Sequence, residues 1–177
     1  MNEIPGMPQA RARRAPPSSA AREGQYLVFR LGPVDCGIEI QQVRDIVGML
    51  PAAPRPGVPS FVKGYITLRE KVMPLIDLRA RFALPAQEET ENSCIIVVEA
   101  QGKEPISTLG LMADEVREVL QIPKEQMLPP VAWGAPIPTE FIYAMAHVGN
   151  TPLVLLDIVR VLEPACGDGA FAARLPP

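Results

Sequence analysis

Cys36-Gly37-Ile38, followed after four residues by Val43-Arg44-Asp45-Ile46-Val47, returns 73 residues later as Leu109-Gly110-Leu111, four residues, and Val116-Arg117-Glu118-Val119-Leu120. Working outward, Phe61-Val62-Lys63-Gly64 has its match in Phe141-Ile142-Tyr143-Ala144, 80 residues on. Ile76-Asp77-Leu78-x-x-Arg81-Phe82 returns at the same offset of 80 as Leu156-Asp157-Ile158-x-x-Val161-Leu162. Order and spacing are both kept, so the chain is a duplication of a unit of about 70 residues. A unit that small buries too little apolar surface to be very stable alone. Two of them should share a core.

Each unit reads as a strand with an apolar-glycine-apolar step, a bend at Val43 or Val116, an extended Ile/Val segment, a proline-rich loop and two closing strands. The closing strands are Phe61 to Leu68 and Lys71 to Ile76 in the first copy, joined by Arg69-Glu70 as a tight turn. In the second they are Glu140 to Val148 and Thr151 to Leu156, joined by Gly149-Asn150. Asp77 and Asp157 stand where a carboxylate would accept the free amides of a short helix. The expected architecture is all-β with short helices: two five-strand-like sheets or barrels joined through Gln101 to Ile106, with a groove where they meet.

Composition agrees. There are 21 prolines in 177 residues, and each removes an amide donor and fixes φ, which excludes a bundle of long helices. Pro51, Pro54, Pro56 and Pro59 fill one loop, and Pro129, Pro130, Pro136 and Pro138 fill its counterpart. Hydrophobic residues make up 47% of the chain, too many for a disordered polymer. Residues 1–24 hold four arginines among prolines and serines and read as a flexible N-terminal tail. Residues 25–163 read as the structured region, and 164–177, rich in Gly, Ala and Pro, as a C-terminal tail. A net charge of −3 fits poorly with a polyanionic partner, so nucleic-acid binding is not expected. No apolar run is long enough for membrane insertion. Three cysteines without C-x-x-C spacing suit a reducing, cytoplasmic compartment.

The residues offer little catalytic chemistry. His147 is the sole histidine, so neither a two-histidine metal site nor a histidine shuttle can be built. It reads as a strand residue beside a turn. Cys36 and Cys94 lie in apolar runs without a basic neighbour to make a thiolate. No nucleophile elbow, phosphate loop or zincin motif is present. No enzyme activity, metal or cofactor is expected, and the question becomes which surface binds. Val43, Ile46, Met49, Leu50 and Val58, with Met127, Leu128, Val131 and Trp133, flank the proline loops as candidates, and most apolar residues of so small a domain are core.

Tyr26-Leu27-Val28-Phe29-Arg30-Leu31-Gly32, Val43-Arg44-Asp45-Ile46, Phe61-Val62-Lys63-Gly64-Tyr65-Ile66-Thr67-Leu68-Arg69 and Val72-Met73-Pro74-Leu75-Ile76-Asp77-Leu78 together resemble the CheW family of chemotaxis coupling proteins. Gly110 to Leu120 and Leu155-Leu156-Asp157-Ile158 are similar to that family's later segments. The resemblance runs from Gln25 to Glu163. It implies two intertwined SH3-like β-barrel subdomains around a shared hydrophobic core. It also implies a non-enzymatic adaptor, cytoplasmic and associated with membrane receptor arrays. Its implied partners are the cytoplasmic tip of a chemoreceptor (methyl-accepting chemotaxis protein) and the regulatory domain of a CheA-type histidine kinase. Residue by residue, the resemblance assigns partner binding to Val43, Asp45, Gly64, Leu68, Arg69 and Glu70, with an Asp45–Arg69 ion pair at the edge of the groove.

Three positions depart from the family pattern. Glu70 stands where glycine follows the arginine, Cys36 where an aromatic is usual, and Ala144 where a glycine is usual. Glu70 either changes the turn or carries strain, and its charge alters what the groove presents. A scaffold of a non-flagellar pathway, for surface sensing or pili, is therefore an alternative. A small β-barrel enzyme or ligand-binding protein is another, and a pocket joining His147 to a carboxylate and a cysteine would favour it.

Overall fold

The computed structural model describes residues 23–100, 107–130 and 137–161. The linker at 101–106, Val131, Trp133 and both assigned tails up to Arg22 and from Leu162 lie outside these ranges. Eleven strands are present among the described residues: β1 Gly24–Leu31, β2 Val34–Glu39, β3 Val43–Gly48, β4 Val62–Leu68, β5 Lys71–Ile76, β6 Cys94–Ala100, β7 Ser107–Ala113, β8 Glu115–Ile122, β9 Met127–Leu128, β10 Ile142–Val148 and β11 Thr151–Leu156. One helical turn, α1 Leu78–Arg81, follows β5, and a similar turn spans 158–161. Val43 opens β3 instead of forming a bend, because a 3-10 turn at Ile40–Gln42 already redirects the chain.

The strands form a six-stranded sheet, β8-β1-β2-β11-β10-β9, and a five-stranded sheet, β3-β6-β7-β5-β4. Replacing each strand by its counterpart in the other repeat turns β8-β1-β2-β11-β10 into β3-β6-β7-β5-β4, so the two sheets are the same object built twice. Neither is built from one repeat. The β1–β2 hairpin of the first copy sits with β8, β10 and β11 of the second, and β6 and β7 sit with β3, β4 and β5. The expected barrels are there, and their strands are exchanged. Exchange lets each half, too small alone, be completed by the other.

The duplicated glycines explain how. Gly37 on β2 lies parallel to Leu155 on β11, and Gly110 on β7 lies parallel to Leu75 on β5. A Cβ on Gly37 would come 2.9 Å from the Leu155 Cδ2, and one on Gly110 would come 2.7 Å from the Ile95 Cγ2 and 3.3 Å from the Leu75 Cδ1. The missing side chain is the space that the exchanged strand and its neighbours fill.

Three apolar clusters result. Ile66, Met73, Leu75, Ile95 and Val97 fill the five-stranded barrel. Tyr26, Val28, Ala146, Leu153 and Leu155 fill the six-stranded one, with Ile122 and Met127 drawn in from its edge strands. The largest lies between the sheets and takes Phe29, Ile38, Ile76, Ile96, Leu111 and Leu156 among others from both. The duplication extends to single hydrogen bonds. Asp77 N–H donates to Phe61 O at 2.8 Å and Asp157 N–H to Phe141 O at 3.0 Å. Both aspartates cap helical turns, Asp77 Oδ1 accepting from Arg79 N–H and Ala80 N–H and Asp157 Oδ1 from Arg160 N–H.

Candidate docking edge

In the five-stranded sheet β3 and β4 are opposite edges, and the side chains of Asp45 and Arg69 join across the gap. Asp45 lies on β3, just past a bulge in its pairing with β6. Arg69 is the first residue of the β4–β5 turn, and its guanidinium donates to Asp45 Oδ2. The pair therefore closes the open side of the barrel. Asp45 also accepts from the Ile46 amide at 2.9 Å. The Arg69 guanidinium foremost, and the Ile46 amide after it, hold the Asp45 carboxyl below the usual carboxylate range.

The turn is unusual in its residues. Arg69 and Glu70 both have left-handed backbones, with φ of 52° and 66°, between paired Leu68 and Lys71. Two positive φ values are what the twist of a two-residue hairpin asks for, and glycine or asparagine normally supplies them. Here two long charged residues do, and the strain anticipated at Glu70 is present at both. In the second repeat Gly149 takes the corresponding place with φ 64°.

The other assigned residues have different surroundings. Leu68 is half-buried against the barrel interior with Val47, Met49 and Leu50. Val43 packs against the cluster between the sheets. Gly64 is buried at a bulge of β4 with φ 147°, and a Cβ there would come 2.4 Å from the carbonyl oxygen of Ala53. Its neighbour Tyr65 exchanges two backbone hydrogen bonds with Ala53, at 2.8 and 2.9 Å, so the proline loop is laid directly over Gly64. Asp45, Leu68, Arg69 and Glu70 thus gather at one edge, while Gly64 is covered by the chain itself.

Beside this edge Arg44 donates to Glu99 at 2.7 Å, and that bond holds the Glu99 carboxyl low. Lys71 donates to Thr108 Oγ1 at 3.1 Å. At the far side of the barrel Arg79 is almost buried. It donates to Asp114, to Pro85 O at 2.8 Å and to Gln87 Oε1 at 2.7 Å. Those bonds fasten the 85–87 segment to Asp114, between β7 and β8, and Arg79, Gln87 and Asp114 line a recess of about 410 Å3.

The described residues offer little for chemistry beyond hydrogen bonding. His147 lies exposed near the end of β10, opposite Pro152, and neither Cys36 nor Cys94 is on that hairpin. Burial pushes the Cys36 thiol far up, with Asp35 and Asp114 adding to it, and burial raises Cys94 as well. Neither sulfur is a thiolate at neutral pH. Among the described residues no three His, Cys, Asp or Glu side chains gather as a metal site, and no helix is long and apolar enough to cross a membrane.

Sequence reading missed Arg81. Its guanidinium lies over the rings of Phe61 and Phe141, at 4.8 and 4.4 Å from their centroids, and those two phenylalanines are counterparts in the duplication. The signal was a charged residue where the second copy has Val161.

Two mainly antiparallel barrels that exchange strands, share a core and present charged edges define a two-subdomain SH3-like scaffold. The chain belongs to the CheW-like domain family, which matches residues 25–165. It is 31% identical over 139 residues to a chemotaxis protein CheW of Klebsiella aerogenes, covering 78% of this chain and 81% of that one. It is 33% identical over 137 residues to a chemotaxis protein CheW of Rhizobium meliloti, covering 77% and 86%. The fold matches the crystal structure of the scaffolding protein TtCheW from Thermoanaerobacter tengcongensis with a TM-score of 0.71 and 29% identity, over 80% of this chain and 88% of that one.

Proposed function

We propose that this chain is a non-enzymatic adaptor that couples chemoreceptors to a CheA-type histidine kinase in a cytoplasmic signalling array. The observation that carries the reading is the Asp45–Arg69 pair, which joins two barrel edges at the positions the family resemblance assigns to partner binding. The receptor tip is taken to dock along this edge, over Leu68 and the β4–β5 turn. The kinase regulatory domain, itself of this fold, is taken to meet another part of the surface. Val119, Leu128 and Val148, on β8, β9 and β10 of the six-stranded sheet, are exposed apolar side chains that suit such a contact. Each contact is small, and multivalency in an array raises modest pairwise affinities.

Co-purification with a CheA-type kinase and a receptor signalling fragment, followed by kinase assays with and without this protein, tests the reading. Binding to both and a change in kinase output are expected. Association with neither overturns it. Arg69→Ala separates the receptor contact from the rest, because it should weaken the receptor fragment while sparing the kinase domain.

A further inference from the structure

The strained β4–β5 turn holds one carboxylate, that of Glu70, which no cation pairs among the described residues. We propose that Glu70 determines receptor specificity at this edge, and that the receptor tip recognised there presents a lysine or arginine to it. The inference rests on the adaptor reading above and adds the chemistry of the partner.

The argument begins with strain. A left-handed backbone crowds the Cβ of any L-residue, and such residues persist where some interaction requires them. At Arg69 that interaction is internal, the ion pair with Asp45. At Glu70, with φ 66°, no hydrogen bond or ion pair ties the side chain to any described residue, and the residue is exposed. A glycine would take the same φ freely. A strained glutamate with no partner among the described residues, at a docking edge, points to a contact outside the chain.

Charge then sets the chemistry of that contact. Two of the cations around Glu70 are matched by carboxylates, Arg69 by Asp45 and Arg44 by Glu99, while Lys71 donates to the neutral Thr108 hydroxyl and keeps its charge. Glu70 is the carboxylate at this tip that no cation pairs among the described residues, and complementarity across an interface calls for a basic side chain opposite it. The corresponding turn of the second repeat, Gly149-Asn150, carries no charge, so the acidic tip belongs to one barrel alone. A receptor with an acidic residue at this point would be repelled, which gives discrimination as well as affinity.

The test uses the full chain and purified signalling-tip fragments of the receptors found in the same organism, with dissociation constants measured by calorimetry at two salt concentrations. Glu70→Gln removes the charge and keeps the backbone. Glu70→Gly removes both charge and strain, and Glu70→Lys reverses the charge. Glutamine and glycine should weaken binding about equally, by roughly threefold to fivefold, and flatten its salt dependence. Lysine should weaken it by about tenfold or more, and one Lys→Glu or Arg→Glu change in the receptor tip should restore it. If the wild-type chain binds a tip and all three variants bind it equally well with unchanged salt dependence, Glu70 has no such role and the adaptor reading stands. If the wild-type chain binds no tip, the adaptor reading falls and takes this inference with it.

Discussion

Arg81 donates from Nε to the carbonyl oxygen of Val161 at 2.7 Å, and Val161 is the residue that occupies Arg81's own place in the second repeat. The guanidinium thus ties one copy of the duplication to the other, between the matched rings of Phe61 and Phe141. One of its nitrogens, Nη2, is buried without a hydrogen-bond partner among the described residues, which offsets part of the gain. A hydrogen bond to a charged group contributes about 1.5–3 kcal/mol, and a cation over an aromatic ring about 0.5–2 kcal/mol. Arg81→Ala should therefore cost about 2 kcal/mol after relief of the orphan nitrogen. In a chain of this size that lowers the Tm by roughly 4–8 °C. Melting followed by circular dichroism checks it, and a variant that melts with the wild type would mean that Arg81 is only a spacer.

Gly64 should tolerate no side chain. Its backbone φ of 147° and the Ala53 carbonyl oxygen, 2.4 Å from where a Cβ would sit, leave relaxation only through the backbone. Gly64→Ala should cost about 3 kcal/mol, from backbone strain and from loosening the two Ala53–Tyr65 hydrogen bonds. Gly48 is the control, since a Cβ there meets nothing within 4 Å. Gly48→Ala should change stability by less than about 0.5 kcal/mol. Urea unfolding of both variants decides the matter, and equal costs would contradict the geometry.

Glu70→Gly should stabilise the fold while it weakens docking. Releasing one left-handed residue gains about 1–2 kcal/mol, and the extra freedom of glycine in the unfolded chain returns about half of that. A net gain of about 0.5–1 kcal/mol is expected in urea unfolding. A loss of stability would show that the Glu70 side chain supports the turn in a way its exposed position does not suggest.

How much of this was legible in the sequence depends on what kind of information each feature needs. The duplication was legible, because repeated spacings are a property of the string. The hairpins Leu68-Arg69-Glu70-Lys71 and Val148-Gly149-Asn150-Thr151 were legible too, since strand pattern and turn position are local. Strand exchange was not. Leu75 and Leu155 offer the same side chain to Gly37 and Gly110, so the apolar pattern fits pairing within a repeat as well as between repeats. Only the closure of the whole core selects one. Asp45 and Arg69 were paired from family likeness and opposite charge, and the structure joins them. The burial of Gly64 depends on a proline loop folding back through Ala53, a contact with no periodic signature. Arg81 carried a faint one, an arginine matched to a valine, which means something only once both phenylalanines are known to face it.

The Asp45–Arg69 pair sets a pH signature. The folded-state carboxyl of Asp45 lies below the ordinary aspartate value of about 3.9, chiefly because Arg69 donates to it. A lowered carboxyl contributes stability that is fully present above the ordinary value and is lost as pH falls through the lowered one. The pair should therefore be intact and insensitive to pH from 6 to 8, and should open only in acid. Arg69→Ala removes the first cause and leaves the Ile46 amide bond, so the Asp45 carboxyl should move up toward the ordinary range without passing it. Carbon-detected NMR titration of the side-chain carboxyl in both proteins reads the shift directly. Titration of Asp45 at the same pH with and without Arg69 would show that the two side chains are not paired in solution, and the barrel edge would then have to be held by Leu68 and the Ala53–Tyr65 bridge alone.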